Sequence, residues 1–168
     1  MKTATHGLTC CALAQKGDRF CIGTACGDCN LCYYVESVQM YVSNKSPEKF
    51  SSLVTCCTFS DDSLVYAAGG ADGVVRVYSG LIEGEQDVES PAFGLVKKEH
   101  ATQIIHTVQL VNGARLLDMK FNKERNVLYV AGSNSVIYSI TFSAGQQPVV
   151  KQLALKCLPV THIVVNNN

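Results

Sequence analysis

The chain has no surplus of either charge: 14 Lys and Arg balance 14 Asp and Glu, giving a formal net charge of zero. Nucleic-acid binders carry a basic stripe, often with aromatics interleaved for base stacking, and neither is present, so no nucleic-acid partner is expected. No apolar window of about 20 residues exists, so no membrane span is expected. Met1-Lys2-Thr3-Ala4-Thr5-His6 lacks the apolar run of a signal peptide, so the expected location is cytoplasmic, with the nucleus as the alternative. Nucleophile and zinc-protease motifs are missing too: there is no G-x-S-x-G and no H-E-x-x-H. The four histidines, His6, His100, His106 and His162, are scattered without a Ser or Cys motif beside them. No catalytic, cofactor-binding or metal-binding residue is therefore assigned, and no enzyme is expected.

What is present is a core-building composition. Hydrophobic residues make up 47% of the 168-residue chain and charged ones 17%, which suits one domain and not a disordered tail. Nine cysteines are many for a reducing compartment, and an odd number does not close a disulfide framework.

The organising pattern is Val54–Ser79. Val54–Phe59 is β-branched or aromatic, Ser60-Asp61-Asp62-Ser63 is a turn, and Leu64–Ala68 is apolar again. Gly69-Gly70-Ala71-Asp72-Gly73 is a second turn, with Asp-Gly supplying the positive φ that a hairpin needs. Val74–Tyr78 closes the set. Because no Gly-Lys phosphate loop or helix follows, the glycines read as turn residues.

The same pattern recurs. Leu8–Cys32 lies over Val54–Tyr78 at a constant offset, pairing Cys10-Cys11 with Cys56-Cys57, Gly23 with Gly69 and Gly27 with Gly73. A third copy starts near Leu116, with Phe121 matching Phe59 and Tyr129 in the place of Tyr66. Its first turn, Asn122 to Asn126, reads as one residue longer, and its second, Gly132 to Ser135, as one shorter. In its third strand Val136, Tyr138, Ile140 and Phe142 share a face. Each copy is followed by a weaker apolar stretch: Val38–Val42, then Gln103–Val111 alternating through Ile105, Thr107 and Gln109, then Val149–Leu155. Val160–Val165 reads as the opening strand of a further copy.

Four strands per unit, repeating every ~40–45 residues, is the period of propeller blades. The excess between the second and third copies sits in residues 80–101, with Glu83, Glu85, Asp87 and Glu89, and reads as a solvated surface insertion. The expected fold is all-β: a partial β-propeller of four-stranded antiparallel blades within a single domain, 1–168. Blades run over approximately 6–50, 51–111 and 112–158, and 159–168 starts another.

These residues resemble the WD-repeat β-propeller family. The phrase FSDDSLVYAAGGADGVVRVYS follows the family's strand, polar turn, small-residue strand, Asp-Gly turn and closing strand. Tyr78-Ser79 stands where the family has Trp-Asp, as do Cys32-Tyr33 and Ile140-Thr141, and no Trp exists in the chain. Asp72 matches the family's blade Asp without its network partners, so it is expected to stabilise its own turn. The resemblance implies a non-catalytic protein–protein interaction scaffold, binding proteins or peptides through blade turns such as Gly69–Gly73 and the 80–101 loop. Closed propellers use about 4–8 blades, so three imply either a fragment of a larger propeller or self-association that completes the ring.

A rival reading starts at Cys21. Cys21, Cys26 and Cys29 have the C-x4-C-x2-C spacing of two-iron ferredoxins, and Cys26, Cys29 and Cys32 contain a zinc-type doublet. The alternative function is thus a cysteine-ligated metal or iron–sulfur protein. Against it, the repeat places these cysteines over Ala67, Asp72, Val75 and Tyr78, which are packing and turn positions.

Overall fold

Val54–Phe59 is extended because β-branched and aromatic side chains fit a pleated, half-buried surface. It forms the inner strand of the middle blade in the computed structural model, which describes residues 7–46, 48–97, 103–110, 114–124, 126–153 and 160–165. Fourteen strands are formed among these residues. The first blade holds β1 (Leu8–Leu13), β2 (Arg19–Thr24), β3 (Cys29–Val35) and β4 (Met40–Lys45), paired in that order. The second holds β5 (Val54–Phe59), β6 (Val65–Gly70) and β7 (Val74–Ser79), then β10 (Ile104–Gln109) at its outer edge. Between them the insertion folds as a small hairpin of β8 (Val88–Ser90) and β9 (Gly94–Val96). The third blade holds β11 (Leu116–Phe121), β12 (Val127–Gly132), β13 (Ile137–Thr141) and β14 (Val149–Leu153). All pairings are antiparallel, so the fold is an all-β partial propeller with four strands per blade.

The repeat extends to an irregularity. Each inner strand breaks register against its neighbour at the same step, between Leu8 and Cys10, Val54 and Cys56, and Leu116 and Asp118. Such a bulge increases local twist, and it recurs where the inner strands β1, β5 and β11 come together.

Cross-strand register sorts side chains onto two faces of each blade. Cys10, Cys21, Cys29 and Leu31 face the second blade, where Cys57, Phe59, Tyr66, Ala68 and Tyr78 meet them. Tyr66 and Tyr78 stack at 4.9 Å and Phe59 tilts against Tyr66 at 5.4 Å. The opposite face of the second blade sends Cys56, Ala67, Val75 and Val77 toward Met119, Leu128, Val130 and Ile140 of the third. Fully burying one such apolar side chain stabilises by about 1.5–3 kcal/mol, so the two seams dominate cohesion between blades.

Several elements differ from expectation. The turn Asn122 to Asn126 has the same length as Ser60 to Leu64: Val127 N–H donates to Asn122 Oδ1 as Val65 N–H donates to Ser60 Oγ. Leu128, not Tyr129, therefore takes the place of Tyr66, and Tyr129 points away from the second blade. The outer strand of the first blade begins at Met40; Val38 belongs to a one-turn 3-10 helix, Glu36–Val38, closed by left-handed Gln39. In β10 the buried side chain is Val108, while Thr107 and Gln109 are exposed; Ile105, on the other side of a register shift, packs against the core, so the expected alternation through odd positions does not hold along the strand. Val160–Val165 forms no strand. Val111, Leu155, His6 and His100 lie outside the described residues.

Candidate interaction site

Two rims frame the blades. On one, the segment joining blades one and two is pinned beneath two turns: Phe50 N–H donates to Gly27 O at 2.9 Å and Ala71 N–H to Leu53 O at 3.0 Å. Gly27 and Gly73 both have positive φ, +81° and +78°, which glycine adopts without a Cβ penalty. Asp72 stabilises its own turn as expected, accepting Val74 N–H at Oδ1. It also accepts the Ser51 hydroxyl at 2.5 Å, which ties the joining segment to the Gly69–Gly73 turn.

The other rim carries the insertion, and here sequence reasoning missed the central residue. Arg19, at the start of β2, is almost wholly buried. Its Nη1 donates to Gly80 O at 2.7 Å and Glu85 Oε2 at 2.6 Å; Nη2 donates to Glu85 Oε1 at 2.6 Å and Asp18 Oδ2 at 2.7 Å. Burial works against the guanidinium charge, but Glu85 and Asp18 outweigh it and its pKa is raised. Burial alone pushes the Glu85 carboxyl up, yet the Arg19 hydrogen bonds hold it below its ordinary value. Asp18 is likewise lowered, chiefly by Arg19. An Arg suits this place because its planar fork meets a carboxylate with two parallel bonds.

The insertion is thus not simply solvated. Leu81, Ala92, Phe93 and Val96 are buried in the seam between blades two and three. Phe93 lies 5.2 Å from the Phe142 ring and 6.3 Å from His106, whose own ring stacks on Phe142 at 5.4 Å. Burial holds the His106 imidazole below its ordinary pKa. Ala144 N–H donates to Pro91 O at 3.0 Å. The insertion therefore leaves blade two, reaches blade one through Glu85, and reaches blade three through Phe93 and Pro91. Ser90, before Pro91, is buried, with its hydroxyl accepting Phe93 N–H. Between the insertion hairpin, the β5–β6 turn and the β11–β12 turn lies an open groove of about 450 Å³ with Leu64, Ala92 and Phe142 among its lining residues.

The cysteines sort as packing residues. Cys21 and Cys29 lie on the face toward blade two and are buried there; Cys32 lies on the opposite face, and Cys26 sits exposed in the β2–β3 turn. The four candidate ligands are therefore not gathered at one point. Desolvation pushes the Cys21 and Cys29 thiols up, away from the thiolate that a metal needs. Burial also raises Cys56, to about 12. Cys10 is raised first by its hydrogen bond with Cys57 across the seam and then by burial. Among the described residues, no three His, Cys, Asp or Glu side chains are placed to hold a metal ion. No described helix is long and apolar enough to cross a membrane.

The two outermost blade faces differ. On blade one, Leu13, Phe20, Cys32, Tyr34 and Tyr41 lie on the side away from blade two, with Phe20–Tyr41 and Tyr34–Tyr41 ring contacts at 5.9 and 5.3 Å. Leu13 and Tyr41 are 66% and 65% exposed. On blade three the outward face is partly covered by Ile163, Val164 and Val165, which meet Tyr129, Ile137 and Leu153.

Comparison with known proteins gives a consistent result. Residues 45–79 match the family described as WD domain, G-beta repeat. The chain is 24% identical over 155 residues to actin-related protein 2/3 complex subunits 1A and 1B of Arabidopsis thaliana. That match covers 92% of this chain and 40% of each relative. It is 30% identical over 106 residues to actin-related protein 2/3 complex subunit 1 of Saccharomyces cerevisiae, covering 57% of this chain and 28% of the relative. The chain thus spans about two fifths of the length of the plant relatives it matches.

Proposed function

Since the chain belongs to the WD-repeat family, we propose that it is a non-catalytic protein-interaction scaffold and one arc of a larger propeller. The observation that carries this reading is the open apolar face of blade one, with the outward face of blade three only partly covered. Interior blade faces bury their apolar rows, whereas Leu13 and Tyr41 stand in solvent on the outermost face of blade one. The likeness to relatives more than twice as long supports the same reading.

The approximate blade limits 6–50, 51–111 and 112–158 are part of this proposal, and so is a further blade opening at 159–168. Val160-Thr161 repeats Val54-Thr55, and Ile163 stands where Cys57 stands in the second blade. Ile163 N–H donates to Asp118 Oδ2 at 2.8 Å, and Asp118 occupies the place of Cys10, the residue Cys57 meets across the first seam. Val160–Val165 thus lies against blade three at the position an inner strand would take, without pairing into a sheet.

The partners proposed are proteins of an assembly like the one its relatives are named for, the actin-related protein 2/3 complex, met in the cytoplasm. Contact is made through the rim turns, including Gly69–Gly73, and the 80–101 segment. The test is affinity capture of the tagged chain from extract of its own organism, read by quantitative mass spectrometry. Co-enrichment of actin-related proteins with the complex's other subunits is expected; their absence from a folded bait would overturn the partner assignment. Light scattering on the pure chain decides a separate point: a stable dimer would mean a ring completed by self-association in place of a single arc.

A further inference from the structure

The chain holds two Ser-Pro steps, Ser46-Pro47 and Ser90-Pro91. Such a step is the sequence that proline-directed protein kinases modify. The two serines are placed differently. Ser90 is buried, and its hydroxyl accepts Phe93 N–H. Ser46 follows the end of β4 and is half-buried, and Glu48 and Lys49 just beyond it are exposed. Its hydroxyl donates to Glu48 O at 3.0 Å.

Across the seam between blades one and two, Arg76 of β7 has an incomplete set of partners. Its Nη1 donates to the same Glu48 O at 3.1 Å, so one shared acceptor separates the guanidinium from the Ser46 hydroxyl. The guanidinium lies over the Phe50 ring at 4.6 Å, and the Arg76 side chain is only 13% exposed. Its ion-pair partner is the Glu48 carboxylate, at 3.7 Å on a side chain that is itself 66% exposed. Arg76 Nε is buried and makes no hydrogen bond among the described residues. The buried Tyr78 hydroxyl lies beside both Ser46 and Arg76. A closed-off donor without an acceptor is costly, and an exposed carboxylate neutralises a covered cation weakly. Of the other charges at this corner, Lys49 Nζ donates to Asp28 Oδ2 at 3.2 Å, and Lys45 directly precedes Ser46.

We propose that Ser46 is a phosphorylation site whose phosphoryl group docks on Arg76, tying the end of blade one to β7 of blade two. This goes beyond the scaffold reading and does not depend on it. The Ser46 hydroxyl oxygen attacks the γ-phosphorus of ATP. The new O–P bond forms as the bond to the β,γ-bridging oxygen breaks; ADP carries away that electron pair, and the hydroxyl proton passes to the kinase's carboxylate base. The product carries three acceptor oxygens and a charge of about −1.5 to −2 at neutral pH. It displaces the singly charged Glu48 from the guanidinium and offers Nε–H the acceptor it lacks. Phosphate oxygens meet the planar fork of Arg with parallel bonds.

The experiment has two arms. In the first, the folded chain is incubated with ATP and extract of its own organism, and phosphorylated sites are mapped by mass spectrometry. Phosphate is expected on Ser46 at least about tenfold above Ser90, because access to a buried hydroxyl waits on local opening. In the second, phosphoserine is installed at position 46 by genetic-code expansion and titrated by phosphorus NMR. Free phosphoserine loses its second proton near pH ~6. In the folded chain the midpoint is expected at least about half a pH unit below that of the same chain in urea, because the guanidinium favours the dianion. Arg76→Gln should abolish this difference, and Arg76→Lys, which keeps the charge without the fork, should retain part of it. The urea reference keeps the test decisive should Arg76→Gln not fold. Absence of phosphate on Ser46 would overturn the modification. Equal midpoints in the folded chain and in urea, or a lowered midpoint that a folded Arg76→Gln leaves unchanged, would overturn the docking.

Discussion

Removing the buried Arg19 guanidinium would leave the partly buried Glu85 and the Gly80 carbonyl without their shared donor. Arg19→Met is expected to cost about 3 kcal/mol, the usual scale for breaking one side of a buried ion pair, measured by urea denaturation. Glu85→Gln keeps an acceptor for the guanidinium and should cost less, about 1–2 kcal/mol. The sequence offered only half of this pair. At the constant offset of the repeat Arg19 lies over the apolar Val65, and nothing at that strand start marks a charge pair. Its partner is 66 residues away in a segment whose composition reads as solvated. Charge pairing across such a separation depends on how blades are stacked, and local pattern carries no trace of it.

Two titrations follow from these sites, and their signs are fixed by direction. His106 has a folded pKa below the ordinary ~6.5, so its contribution is complete above that pH and is lost as pH falls toward the folded value. Glu85 also has a lowered folded pKa, so its contribution is complete above about 4.3 and is lost as pH falls through the folded value. Melting temperature should therefore be level from pH 8 to 7, decline below about 6.5, and decline again in the acid range. His106→Gln should remove the first decline and leave the second.

At the scale of elements, the turns are where residue identity matters most. The β12–β13 turn places Ser135 at φ +62°, the position that Gly27 and Gly73 hold in the other blades. Ser135→Gly should stabilise by about 0.5–1 kcal/mol, because glycine enters the left-handed region without the Cβ penalty. Gly27→Ala should destabilise by about 2 kcal/mol, since φ is +81° and a Cβ would press on the Phe50 carbonyl. Cys26→Asp should change the melting temperature little, because Asp72 fills the matching place. Circular-dichroism melts check all three. These turns also show what was legible. Hydrophobic alternation and turn glycines located the strands of all three blades closely, because strand pairing and turn chemistry are local. The slip at Tyr129 arose because Ser60 and Asn122 close their turns with different side chains. Reading the Asn122 to Asn126 turn as one residue longer shifted the second strand of the third copy by one residue, enough to turn a side chain to the other face.

For the whole molecule, the two ends of the arc are unlike. Blade one offers Leu13, Phe20, Tyr34 and Tyr41 on an uncovered face, while blade three is partly sheltered by the half-buried Ile163 and Val165. Association of the isolated chain should therefore proceed through blade one. Leu13→Glu with Tyr41→Glu is expected to lower the sedimentation-average mass at high concentration without changing the melting temperature. An unchanged mass would place the sticky surface elsewhere. Faces of this kind could be counted from sequence, since three blades leave two ends, but the sheltering of one end was not legible because Val160–Val165 meets blade three without joining any sheet.

The insertion has a consequence in time as well as in space. Glu85 finds its cation only when the first blade is in place beside the second, and Phe93 meets the Phe121 and Phe142 rings only when the third blade has packed. Contacts between distant parts of a chain form late, because loop closure must come first. The segment cannot settle onto a half-assembled array, so its docking reports that three successive blades have been stacked correctly. A nascent chain missing any one of them would leave this stretch loose and open to proteases, which makes the same residues that clamp the finished arc a marker for disposal of the unfinished one.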